Sequence, residues 1–203
     1  MNTAQARAAT VKRLTRETSL SVVLSLEPGP SDIDSGIGFL DHLLYSLALH
    51  GGFSICLHCD GDLALDDHHS VEDCALALGR ALSDALGSRD GIARFGWAYA
   101  PLDEALARAV VDISGRPYAK VELGLSREKL GELACENVQH FFLSFASAAG
   151  LCLHIELLSG QNDHHRAEAA FKAVALALKQ AVALKGAGIP SLKGVIEHSG
   201  DAV

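Results

Sequence analysis

Basic residues are in short supply: 17 Lys and Arg face 25 Asp and Glu, leaving a formal charge of −8 over 203 residues. That balance excludes a nucleic-acid partner, because phosphate contacts need a basic surface. An anionic metabolite remains open if the few cations are gathered in one place. No apolar run approaches the roughly 20 residues needed to span a bilayer, so no membrane partner is expected. The opening MNTAQARAATVKR lacks the apolar core of a signal peptide. The five cysteines are an odd number without framework spacing, which points to a reducing cytoplasm. Cys56 and Cys59 form one CxxC in GFSICLHCDG, an alternating segment in which positions three apart face opposite ways. A structural zinc needs a second such pair, and none exists, so both read as buried thiols.

What the chain has is a repeat. DDHHSVED at 66–73 returns, ninety-six residues later, as NDHHRAEA. Upstream, DHLLYSLALHGGFSICL (41–57) lies over QHFFLSFASAAGLCLHI (139–155) without a gap, placing His42 on His140, Ser46 on Ser144 and Gly52 on Gly150. After two residues are removed from the intervening loop, His68 falls on His164, His69 on His165 and Glu72 on Glu168. A period near a hundred residues is a domain duplication rather than a solenoid. The expected division is a first half at 1–90, a second at 91–187, and an irregular tail at 188–203 that contributes to the site.

Each half reads as strands, helix, strand, helix. ATVKRLTRE and SLSVVLSLE alternate as a hairpin pair. GFLDHLLYSLALH has helical spacing and stops at Gly51–Gly52; FSICLHC is a strand. A second helix starts after Asp66 or Asp67 as N-cap and runs to about Leu86. The second half predicts strands near 93–100, 104–113 and 117–122, and helices over 137–149 and 163–184. The expected fold class is α+β: duplicated half-domains whose antiparallel sheets pack on a helical layer. Hydrophobic residues at 49% suffice for its core.

His68 and Glu72 are four apart, as are His164 and Glu168, so each pair shares a helix face one turn apart. Imidazole with carboxylate is a ligand set for a divalent transition metal. His69 and His165 point about 100° from their neighbours, so one helix cannot easily wrap three ligands around one ion. The pattern suggests two ions, each taking the His–Glu pair of one half and the offset histidine of the other. His42 and His140 on the preceding helices would complete four protein ligands per ion. Six of the ten histidines are thus repeat-related; His50, His58, His154 and His198 have no repeat partner and read as structural or solvated. Mixed His and carboxylate ligands fit Mn, Fe or Zn, and six-coordinate Mn(II) leaves positions open for substrate. Lys172 stands four beyond Glu168, about 6 Å further along the same stripe, where it could bind an anion.

The segments GIGFLDHLL, HGGF, DDHHSVEDCALALGRAL, GIARFGWAYAPLDEALARAVVDISGRPY, HFFLSFA, NDHHRAEAAFKA and IPSLKG carry a resemblance, along nearly the whole chain, to the imidazoleglycerol-phosphate dehydratases of histidine biosynthesis. Ser35, Leu43 and Leu192 depart from residues usual in that family, and none is an expected ligand. The resemblance implies a carbon–oxygen lyase with two Mn(II) ions per active site, in a roughly spherical homo-oligomer of about 24 subunits with octahedral symmetry and sites between subunits. It implies phosphate-binding roles for Arg94, Arg116, Ser191 and Lys193 alongside Lys172, and it makes Glu17 the candidate acid/base. The implied reaction turns imidazoleglycerol phosphate into imidazole acetol phosphate and water. The hydrogen lost is not acidic, whereas an imidazolate can expel the neighbouring hydroxyl. A ring with two nitrogens then has a use for two equivalent Lewis acids, which gives the doubled motif a purpose.

Two other readings use the same residues. A binuclear hydrolase would activate water between ions about 3.5–4 Å apart that share a bridging oxygen, whereas ions on opposite ring nitrogens would stand roughly 6 Å apart. A metal-storage protein would need no cluster of Arg and Lys.

Overall fold

A computed structural model describes residues 7–186 and Gly188. The first half contains β1 (Ala8–Leu14), β2 (Thr18–Ser25), β3 (Asp32–Asp34), α1 (Gly38–Gly51), β4 (Ser54–Gly61) and α2 (His68–Leu86). The second contains β5 (Phe95–Leu102), β6 (Ala105–Asp112), β7 (Tyr118–Glu122), the short hairpin β8 (Lys129–Leu130) and β9 (Leu133–Ala134), α3 (Cys135–Ala149), β10 (Cys152–Ser159) and α4 (Asp163–Ala181).

The two main sheets have the orders β1-β2-β4-β3 and β5-β6-β10-β7, the same arrangement twice. Their pairings are antiparallel except at one edge of each: β3 with β4, and β7 with β10, run parallel. In both cases a helix lies between the paired strands in the chain, and that crossover returns the second strand in the same direction. β3 has three residues, and β8 and β9 two each, too short to show a period; the sequence reading did not find them.

Alternation decides which face each sheet buries. Thr18, Leu20, Val22 and Leu24 of β2 point inward, as do Ala105, Ala107, Ala109 and Val111 of β6. In β4 the same rule buries Cys59 and leaves Cys56 exposed, so only one of the pair is the buried thiol expected. The five cysteines are free.

α1 and α3 end alike. Gly52 (φ 69°) and Gly150 (φ 63°) take the left-handed conformation that a residue with a Cβ resists, and their N–H groups close the last turn. α2 and α4 also begin alike, on residues that are repeat partners. Asp66 accepts from His68 N (2.8 Å) and Asn162 from His164 N (2.9 Å). Asp67, at the N-cap position of α2, is turned inward instead, accepting from Ala134 N at 2.7 Å, so the side-chain bond to the helix start comes from Asp66.

α2 packs on β1 and β2, and α4 on β5 and β6, so each sheet covers a helix of its own half. Between the halves the helices pair crosswise, α1 on α4 and α2 on α3. Small residues permit the close approach: a Cβ on Gly79 of α2 would stand 2.5 Å from the Phe145 carbonyl oxygen of α3. Among the described residues, no helix is long and apolar enough to cross a membrane.

Candidate metal centres

The crosswise pairing of helices decides where the histidines meet. α4 presents His164 and Glu168 on one face, and α1, from the other half, brings His42 against them. Glu168 Oε2 lies 3.1 Å from His42 Nε2 and 3.3 Å from His164 Nε2. α2 presents His68 and Glu72, and α3 brings His140, whose Nε2 is 3.3 Å from Glu72 Oε1. The His68 and His140 rings are stacked, with centroids 4.7 Å apart. In each triad one donor atom from every residue lies within 4.8 Å of the others. His50, His58 and His154 belong to neither.

Two imidazoles and one carboxylate, repeated by pseudo-symmetry, suit a divalent transition ion. Donors bound at about 2.0–2.2 Å stand up to about 4.2 Å apart across an ion, so small side-chain movements bring either triad to bonding distance. The orientation is already prepared. Lys172 takes Glu168 Oε1 at 2.7 Å and leaves Oε2 for the imidazoles, while His68 Nδ1 lies 3.1 Å from Asn137 Oδ1 and so keeps Nε2 free. Burial works against the Glu168 anion, but Lys172 and His42 outweigh it and hold the carboxyl at about 2.

Within one chain the offset histidines belong to neither triad. What crosses between the halves is His42 and His140; His69 and His165 lie apart, each between two carboxylates. His69 Nδ1 is 3.1 Å from Asp62, and its Nε2 is 3.8 Å from Glu17. His165 Nδ1 is 2.7 Å from Glu104, and its Nε2 is 3.8 Å from Asp103. The hydrogen bonds that the two imidazoles donate to Asp62 and Glu104 raise their pKa. Glu104 itself is held at about 2, by the backbone N–H of Asn162 first and then by His165. Among the described residues, then, one chain brings three candidate donors together in each triad.

Glu17 sits in the β1–β2 turn beside His69, not beside a triad. Asp103, in the β5–β6 turn, holds the matching place at His165. The sequence reading passed over Asp62, Asp103, Glu104 and Asn137. The available signal was an acidic residue in the strand turn of each half.

The cations are dispersed. Arg94 makes a two-point ion pair with Asp112 (2.7 and 3.1 Å), and its N–H donates to Ala181 O at the far end of α4. Ala181 is thirteen residues beyond Glu168, about 20 Å along the helix. Arg116 is exposed and follows Gly115, which packs on Gly150 at the end of α3, ten residues and about 15 Å from His140. Among the described residues of the expected phosphate-binding set, only Lys172 touches a triad. Ser191 and Lys193, with the tail expected to reach the site, lie outside the described residues. A cavity of 870 Å³ lined by Ile92, Phe95, Trp97 and Lys179 contains no triad residue.

Residues 35–178 match the family model of imidazoleglycerol-phosphate dehydratase. The chain is 49% identical to the imidazoleglycerol-phosphate dehydratase of Saccharomyces cerevisiae over 214 residues, covering 93% of this chain and 97% of that one. It is 57% identical over 192 residues to the enzyme of that name from Phytophthora nicotianae, which covers 94% of this chain and 42% of that longer protein. The crystal structure of imidazoleglycerol-phosphate dehydratase from Staphylococcus aureus superposes with a TM-score of 0.80 at 38% identity, over 87% of this chain and 99% of that one. The Pyrococcus furiosus structure gives 0.80 at 34%, over 92% and 100%.

Proposed function

The chain belongs to the imidazoleglycerol-phosphate dehydratase family, a family of hydro-lyases, and from that premise we propose that its two triads are the metal-holding halves of a dehydratase site in histidine biosynthesis. The substrate is imidazoleglycerol phosphate, and the products are imidazole acetol phosphate and water. The observation that carries this reading is the pair of pseudo-symmetric His–His–Glu triads, each assembled from both halves of the chain.

His42, His164 and Glu168 hold one divalent ion and His68, Glu72 and His140 the other, with Mn(II) best suited to the mixed nitrogen and oxygen donors. When bound, the two ions supply Lewis acidity to the two nitrogens of the substrate ring. The side chains arrange the rest. Lys172 fixes the Glu168 carboxylate and contributes positive charge next to the triad, where a phosphate can approach. Asp62 and Glu104 turn the Nε2 atoms of His69 and His165 outward. Glu17, exposed and 3.8 Å from His69 Nε2, is placed to take up or release a proton at its Oε2. Arg94 and Arg116 lie about 20 and 15 Å from the triads along the helices, which supports a site shared between copies of the chain. In such an assembly, for which the family resemblance implies a large homo-oligomer of about 24 subunits, His69, His165 and the arginines are offered to neighbouring copies. Five free cysteines suit a cytoplasmic location.

Among the described residues, no carboxylate is common to the two triads, which favours separate ions over the carboxylate-bridged pair of a binuclear hydrolase. The test is incubation of purified protein with imidazoleglycerol phosphate and Mn(II). The ketone product should form, and a chelator should abolish it. Phosphate release without ketone would overturn the reading in favour of a hydrolase.

A further inference from the structure

The structure assigns a positioning role to Glu104: its carboxylate holds His165 as the Nδ1–H tautomer, so that Nε2 is the bare nitrogen offered to a ligand. This rests on the proposed function only in taking that ligand to be a divalent ion.

Glu104 is braced on both oxygens. Oε2 lies 2.7 Å from His165 Nδ1, while Oε1 accepts from Gln161 N (3.1 Å) and Asn162 N (2.9 Å). Its own carbonyl accepts from Ser159 Oγ at 3.2 Å, so the β5–β6 turn is fastened to the segment that starts α4. A fully ionised carboxylate has no proton to give, so the hydrogen between Oε2 and Nδ1 belongs to the imidazole. In the neutral ring that leaves Nε2 unprotonated, with its lone pair directed away from Glu104.

The first half makes the same contact from an unrelated position. His69 Nδ1 meets Asp62, which follows β4, whereas Glu104 precedes β6. Gly160, not an acid, stands at the corresponding place after β10 when the strands are aligned. Aligning β2 with β6 sets Glu17 on Glu104, so both halves carry an acid in this turn. Glu17, however, lies 3.8 Å from His69 Nε2, and in the first half the Nδ1 contact comes from Asp62, in a different turn. A residue kept only to stabilise a turn has no reason to recur against the same imidazole nitrogen.

Glu104→Gln separates the positioning role from a bracing one. The amide oxygen can keep both backbone N–H bonds, which turns the NH₂ group toward His165 Nδ1. That nitrogen must then accept, moving the ring proton to Nε2. Magic-angle-spinning ¹⁵N spectra of histidine-labelled, metal-free protein read the tautomer directly, at a pH where His165 is neutral. Subtracting the His165→Asn spectrum assigns the signal. Wild type should show protonated Nδ1 and bare Nε2, and Glu104→Gln the reverse. Mn(II) affinity, from the electron paramagnetic resonance of the free ion, should fall about 10–100-fold for one ion, as loss of an orienting partner does elsewhere. Glu104→Asp should restore the wild-type tautomer. A wild-type His165 protonated at Nε2 would overturn the assignment without any variant having to fold. So would an unchanged tautomer in Glu104→Gln, or a switched one with Mn(II) affinity altered less than about threefold. Wild-type protein that binds no divalent ion would sink the proposed function, and the tautomer spectra would still decide the role of Glu104.

Discussion

Replacing Glu168 by Gln and Glu72 by Gln makes the same chemical change at repeat-related positions, yet the surroundings predict unequal effects on the metal-free fold. The Glu168 side chain is 13% exposed and has three cationic or imidazole partners: Lys172 at 2.7 Å, His42 at 3.1 Å and His164 at 3.3 Å. Glu72 is 38% exposed and has His140 at 3.3 Å. A charged hydrogen bond in a largely buried setting contributes about 1.5–3 kcal/mol, whereas an exposed pair contributes about 0–1. The carboxyl of Glu168, held at about 2 against an ordinary 4.5, sets a ceiling of about 3 kcal/mol on the same interaction. Glu168→Gln should therefore cost about 2 kcal/mol and Glu72→Gln under about 1. In a chain of this size that is about 4–8 °C against at most about 4 °C in Tm. Thermal unfolding of chelator-treated protein, at matched concentration and neutral pH, measures both. A depressed carboxyl stabilises the fold above its unfolded pKa and loses that contribution as pH falls through its folded value. The difference between the variants should therefore shrink between about pH 4.5 and 2. Equal Tm losses at neutral pH would refute the reasoning.

Metal affinity should weaken as pH falls, with the loss starting above pH 6.5, because His69 and His165 hold their protons more tightly than free imidazole. In metal-free protein the sign reverses: their pairing with Asp62 and Glu104 stabilises the fold at lower pH and is lost as pH rises through the raised values. Calorimetric Mn(II) titrations paired with unfolding midpoints across pH 5–9 should show the two trends crossing, and parallel trends would count against it. Arg94→Ala should keep full metal content while kcat/KM falls tens- to hundred-fold, from loss of about 1.5–3 kcal/mol of phosphate contact. Lys172→Ala should lose kcat/KM at least as much even at saturating Mn(II), because it also releases the Glu168 carboxylate. A Lys172→Ala enzyme with unchanged kcat/KM would refute the phosphate role. Chelation should reduce particle size in sedimentation, and an unchanged particle after verified metal removal would refute metal-linked assembly.

The features legible in the sequence are those a local period encodes. His68 with Glu72 and His164 with Glu168 follow from helical geometry, and the Gly52 and Gly150 stops from the left-handed conformation that glycine tolerates. The strand alternation of β2 and β6 gives the two inner faces. The exchange of His42 and His140 was not legible, because it depends on α1 packing against α4 and α2 against α3, which no stretch of either half records. The same limit hid Glu104: its partner lies 61 residues away, and only the turn that brings β6 beside α4 joins them. Arg94 shows the complementary limit: the motif around it is recognisable, but within one chain it lies at the end of α4 remote from Glu168.

The crossing of His42 and His140 also bears on how such a protein could arise. A half-length ancestor with this layout would carry a His–Glu pair and a stray histidine, and alone it would complete no triad. Two copies meeting face to face would complete two at once, but only at concentrations that kept them paired. Joining the copies end to end replaces that second-order encounter with a tether, at an effective concentration that dilution cannot lower. Once joined, the two centres are free to drift apart in character, and the different carboxylates behind His69 and His165 are a trace of that freedom.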